Sequence, residues 1–170
     1  YGWLFTYVPV GGETDLEYMA TPEQRLFMLK QVRKWRSEKP VFVADFWNDG
    51  PFVGGCIAGG RNYFHINAMG DVEPCAFVHY ANMNIKNTSL VEALKSPLFL
   101  EYQKNQPFNS NLMRPCPIID NPEWLQKMVE SSNAYSTQKN GVTAAQVCQP
   151  LHGYAKAWGE IADNVKAQED

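Results

Sequence analysis

No CxxC pair, no apolar run long enough to cross a bilayer and no block of like charge occurs in this 170-residue sequence. Each absence removes a class. The common zinc modules are built on paired cysteines, so they do not apply here. A membrane-spanning helix needs about 20 consecutive apolar residues, and none is present. No basic stretch followed by an apolar one reads as a signal peptide. Charge is sparse as well: 19% of residues are Asp, Glu, Lys or Arg, and the net charge is -3. That balance leaves no electrostatic footprint for nucleic acid or an anionic membrane, and we expect neither as a partner. The one basic concentration, Lys30, Arg33, Lys34 and Arg36, has the spacing of a single solvated helix face.

What is present reads as an α/β chain with an ordinary globular share of apolar residues, 45%. Residues 3–10 suit a buried strand, closed by Gly11 and Gly12. A helix follows, with Thr21 as N-cap, Pro22 in its first turn and Gln24 completing a capping box. Leu26, Leu29, Val32 and Trp35 form its apolar stripe, and Pro40 stops it. Residues 41–46 then return as a second apolar strand. Strand, helix, strand predicts a βαβ unit from a parallel sheet covered on its faces. Two such strands cannot stand alone, so we expect further strands upstream of Tyr1 and regard the chain as a fragment.

Beyond Asn48 the character changes. Residues 63–67 alternate like a strand, residues 68–71 supply a turn and Val72 begins the return, which predicts a β-hairpin. Ser89 with Glu92 caps one helix, Ser96-Pro97 opens a second, and Asn121-Pro122 a third through Trp124, Leu125, Met128 and Val129. Leu151, Tyr154, Ala155, Trp158, Ile161, Ala162 and Val165 predict an amphipathic final helix. Residues 1–50, 51–125 and 126–170 are the expected divisions.

Four cysteines stand at 56, 75, 116 and 148, with 18, 40 and 31 residues between successive pairs. The count alone leaves a metal site, disulfides (with Cys56–Cys75 the first candidate) and buried free thiols all open. Context separates them. Cys56 follows Gly54-Gly55, Cys75 follows Pro74, and Cys116 lies between Pro115 and Pro117. Glycine lets backbone N–H groups approach a sulfur closely, while proline stiffens a loop without adding a donor. The expected ligands are therefore Cys56, Cys75 and Cys116, with the hairpin drawing the first two together. Cys148 reads as part of a helix turn and suits a buried thiol as well as a fourth ligand. Asp120, four residues after Cys116, and His79, four after Cys75, compete for that place, as does an open position. His65 is expected to be structural and His152 exposed.

From Cys56 the pattern is thirteen residues, Gly70, four residues and Cys75. Together with Phe64-His65-Ile66, Asn84-Ile85 and the run from Ser89 to Leu94, it resembles the auxiliary-cluster domain, of SPASM or twitch type, of radical S-adenosylmethionine (radical SAM) enzymes. Tyr7-Val8-Pro9-Val10-Gly11 is similar to a late strand of the partial (β/α)6 barrel that precedes this domain in the family. The resemblance implies the end of such a barrel followed by a hairpin-plus-helices domain. It implies an auxiliary 4Fe–4S cluster on the three cysteines, with Tyr7, Phe46 and Trp47 as candidates to face a substrate cavity. It also implies a cytoplasmic iron–sulfur oxidoreductase acting on a small-molecule or peptide substrate. The family's activating motif, CxxxCxxC, is absent. S-adenosylmethionine and a second 4Fe–4S cluster are thus expected only in a longer protein, with the upstream barrel half as partner, and the chain alone should be inactive. The alternative is a zinc-stabilised structural or binding module.

Overall fold

The structure is a computed structural model that describes residues 1–10 and 15–169. The expected terminator Gly11-Gly12, and with it the end of the Pro9-containing turn, lies outside the described residues. Strand β1 (Gly2–Leu4) pairs in parallel with β2 (Val43–Asp45), Gly2 opposite Val43 and Leu4 opposite Asp45. Helix α1 (Pro22–Glu38) makes the crossover. Its start is the expected capping box: Thr21 Oγ1 accepts from Gln24 N at 3.2 Å, and Gln24 Oε1 accepts from Thr21 N at 2.9 Å.

The βαβ unit is thus present, but its strands are shorter and barer than expected. The ladder ends where Phe46 N donates to Leu4 O; residues 5–10 continue with Thr6 and Val8 turned inward and Phe5 and Tyr7 outward. Trp3 is 61% exposed and Phe42 68%. With two strands and one helix, only one face of the sheet has a neighbour, so the expected cover on both faces is not met within the described residues. The stripe of α1 differs for a related reason. Leu29 and Val32 are buried and Trp35 is exposed, while Arg25, a charged residue, is fully buried.

A short helix α2 (Gly50–Val53) leads to the hairpin of β3 (His65–Ile66) and β4 (Val72–Glu73), which pair antiparallel, His65 opposite Glu73. Gly70 turns between them at φ +94°, where a side chain would be strained, and Asn67 Oδ1 accepts from Met69 N and Asp71 N to close the loop. His65 Nδ1 lies 2.7 Å from Glu73 Oε2, the structural role expected of it. Strand β5 (Tyr80–Ala81) then pairs antiparallel with β6 (Tyr135–Ser136).

The rest is helical: α3 (Leu90–Ala93), α4 (Pro97–Asn105), α5 (Pro122–Ser131), α6 (Ala144–Cys148) and α7 (His152–Glu169). The Ser89/Glu92 box caps α3, and a second box, Thr143 with Gln146, caps α6. Leu151, Ala155, Trp158 and Ala162 are buried as the final helix required, and His152 is exposed. One core runs through all three stretches of chain, from Val8 and Trp47 through Leu98 and Ile119 to Leu125 and Leu151. A second, Leu29 with Met113, Trp158 and Ala162, joins α1 to α7. Between them Arg25 meets Asp120 at 2.5 Å with both side chains fully buried, and its guanidinium lies 4.1 Å over the Trp158 ring. Helix outweighs strand, 44% to 11%, and the sheets among the described residues are two-stranded. The chain is therefore mixed α/β.

Candidate metal centre

Cys56 follows α2 on a loop whose carbonyls are pinned outward. Arg61 Nη1 donates to Gly54 O and Cys56 O, both at 3.0 Å, and its Nη2 to Val53 O at 2.8 Å. Gln106 Nε2 adds bonds to Cys56 O and Ala58 O at 3.2 and 3.1 Å. With its carbonyls so engaged, the loop has N–H groups free to face the sulfur, and Ala58 N–H donates to it. Cys75 lies two residues past β4. Its meeting with Cys56 is not the work of the hairpin alone, because eight residues separate Cys56 from β3; the join is Gly59 N to Pro74 O at 2.9 Å. Cys116 sits on a proline-flanked loop closed by Asp120, which accepts Cys116 N at 3.0 Å, and by Asn121, whose side chain donates to Arg114 O at 2.8 Å. Ile118 N donates to Cys116 Sγ at 3.4 Å.

These three loops bring the three thiols to one cavity of about 220 Å³, beyond the C-terminal end of β2. That is several times the ~30 Å³ share of one water. Phe46, Trp47, Tyr63, Phe77 and Tyr102 are the aromatic side chains from the middle of the chain that line it. Phe46 and Trp47 line the cavity of the three cysteines, whereas Tyr7 is elsewhere, edge-on to Tyr18 at 6.0 Å. All four cysteines are free thiols, so neither the Cys56–Cys75 bridge nor any other disulfide is formed.

Burial pushes the Cys56 thiol up to about 12, and the neighbouring Cys75 adds to it. Burial also raises Cys116, with Asp120 and Cys56 opposing its ionisation, and it raises Cys75. Working the other way, N–H groups reach every sulfur: Ala58 on Cys56, Phe77 and Ala76 on Cys75, Ile119 and Ile118 on Cys116. Tyr63 Oη lies 2.7 Å from Cys75 Sγ. Burial thus keeps the three thiols neutral by themselves; a cationic centre bound between them, helped by the donors aimed at their sulfurs, would draw them into the thiolate form. The donor set, the N–H groups and the room together fit an iron–sulfur cluster. No three His, Cys, Asp or Glu side chains among the described residues form a group that could hold a single metal ion.

None of the three side chains competing for the fourth position lines the cavity. Cys148 is fully buried at the end of α6, where burial lifts its thiol to about 12 and Gln126 N–H donates to it. The Asp120 carboxylate is engaged by Arg25 and by Cys116 N–H. His79 Nδ1 faces Glu73 Oε1 at 3.7 Å. The structure adds instead two phenols that sequence reasoning missed, Tyr63 and Tyr102, and an anchor, Arg25–Asp120, under the Cys116 loop. Only Gly59, against whose bare backbone the Tyr102 ring packs, carries a sequence signal for either phenol.

Residues 56–117 match the family model of SPASM, an iron–sulfur cluster-binding domain. The matched segment begins at Cys56 and holds Cys75 and Cys116. No curated protein and no solved structure matches the chain.

Proposed function

We propose that the chain is the C-terminal portion of a radical SAM oxidoreductase, the end of a partial (β/α)6 barrel followed by an auxiliary cluster domain. The observation that carries this is the convergence of Cys56, Cys75 and Cys116 on one cavity, inside the segment that matches an iron–sulfur domain. They would hold an auxiliary 4Fe–4S cluster, which supplies a one-electron store beside the substrate. The parallel pair with exposed Trp3, Phe5 and Phe42 supports the barrel, since further strands and the upstream half would cover that apolar face. The cavity's place beyond the end of β2 supports a substrate site, because open α/β sheets bind ligands outside the carboxyl ends of their strands.

Each residue then has a task. Arg61 and Gln106 hold the Cys56 loop, Asp120 holds the Cys116 amide, and Phe46, Trp47 and Phe77 exclude water from the sulfurs. S-adenosylmethionine and the cluster that activates it belong to the longer protein with a CxxxCxxC loop. Its substrate is a small molecule or a peptide, and its place the cytoplasm, where thiols stay reduced. Anaerobic reconstitution tests the cluster: the expected product is brown, with iron and sulfide in equal amounts. A colourless protein that takes up zinc and refuses iron would establish the zinc-stabilised module instead.

A further inference from the structure

Tyr102 is fully buried on α4, and its hydroxyl has no hydrogen-bond partner among the described residues. Buried phenols are rarely left so, because desolvating a hydroxyl without a partner is costly. Its surroundings leave it little room to turn away. The Phe108 ring meets it edge-on at 5.4 Å, and the backbone of Gly59, at φ +70°, packs against it as well. A Cβ at position 59 would come within 2.6 Å of the Tyr102 ring. Gly59 belongs to the Cys56 loop, so the ring is seated against the loop that presents the first thiol. The ring lines the same cavity as Cys56, Cys75 and Cys116.

We infer that Tyr102 donates a hydrogen bond from its hydroxyl to a sulfur of the cluster held by Cys56, Cys75 and Cys116, a positioning and tuning role for which the glycine at 59 makes room. The inference rests on the cluster reading above. Burial and the nearby charges of the three cysteines hold the phenol well above its ordinary pKa, so it stays a neutral donor. Tyr63, already on Cys75 Sγ, supplies a second phenol on the same centre. A donor to a sulfur favours the more negative, reduced state of the cluster, so its removal lowers the reduction potential.

The test is Tyr102→Phe, which removes one oxygen and keeps the ring, in the full chain reconstituted anaerobically with iron and sulfide. The variant is expected to take up the same iron and sulfide as the parent, with its potential shifted negative in an EPR-monitored titration. Gly59→Ala should shift it the same way by displacing the ring. Tyr80→Phe, whose hydroxyl donates to Val142 O at 3.1 Å, should not. Without iron, Tyr102→Phe should melt no lower than the parent, since an unpaired hydroxyl has been removed. Full cluster content with an unchanged potential overturns this inference and leaves the cluster reading standing. Loss of the cluster from Tyr102→Phe alone overturns it too, in favour of an oxygen ligand. A parent chain that takes no cluster overturns both.

Discussion

The loops around Cys56, Cys75 and Cys116 and the core around Cys148 hold the same functional group, half-buried at Cys56 and Cys116 and buried at Cys75 and Cys148, and they are built in opposite ways. Cys148 closes a helix, belongs to the core that includes Leu125, Met128 and Leu151, and does not line the cavity. The other three sit on loops, each receives N–H groups from residues one to three further on, and together they border open volume. Burial lifts Cys56 and Cys148 alike to about 12. That rise therefore does not distinguish a candidate ligand from a core thiol. Loop backbone with free donors, and a shared cavity, do.

The sharpest way to break the comparison is to remove thiols one at a time. Cys75→Ala or Cys116→Ala should abolish cluster uptake on anaerobic reconstitution, while Cys148→Ala should bind iron and sulfide as the parent does; metal and sulfide analysis decides. If Cys148→Ala also loses the cluster, the two regions are one site and the comparison is wrong.

The next effect loosens a loop while leaving every thiol in place. Asp120→Asn leaves the buried Arg25 guanidinium uncompensated and weakens the hold on Cys116 N–H. Breaking a buried pair on one side costs about 3–5 kcal/mol. Urea unfolding should show that loss, and cluster content should fall with it. A variant of unchanged stability would mean the pair does not anchor the loop.

Smaller effects belong to Cys148 alone. Cys148→Ala should lose about 1–2 kcal/mol of stability, the usual range for trimming a core side chain, with no change in iron. Its pH dependence has a definite sign. The folded thiol ionises near 12 and the unfolded one near its ordinary value of about 8.5. Burial of the neutral thiol thus contributes fully below the lower value, and the contribution fades as pH rises toward the upper one. At pH 9 the loss should be about 0.8 kcal/mol. Melting temperatures of the parent should decline more steeply between pH 8 and 10 than those of Cys148→Ala, and parallel curves would show that Cys148 ionises normally.

Much of this was legible locally. The capping boxes at Thr21 and Ser89, the turn at Gly70 and the βαβ order each depend on residues a few positions apart, and each is found where expected. Cys56, Cys75 and Cys116 could be singled out because glycine and proline neighbours mark loop backbone. The length and cover of the first strand were not legible, since a strand extends only as far as its partner does. Nor was Arg25, which occupies a helix position that in solvent would be unremarkable and is buried only because Asp120, 95 residues away, meets it.

By itself the sequence determined which cysteines sit on backbone that would suit a ligand, because φ freedom, missing donors and caps are properties of neighbouring residues. Only the tertiary structure decided that those three share a cavity, that Cys148 does not line it, and that Tyr102 lines it while its hydroxyl has no partner among the described residues. Burial and convergence arise from contacts between distant stretches of chain, and no window of sequence contains both sides of such a contact.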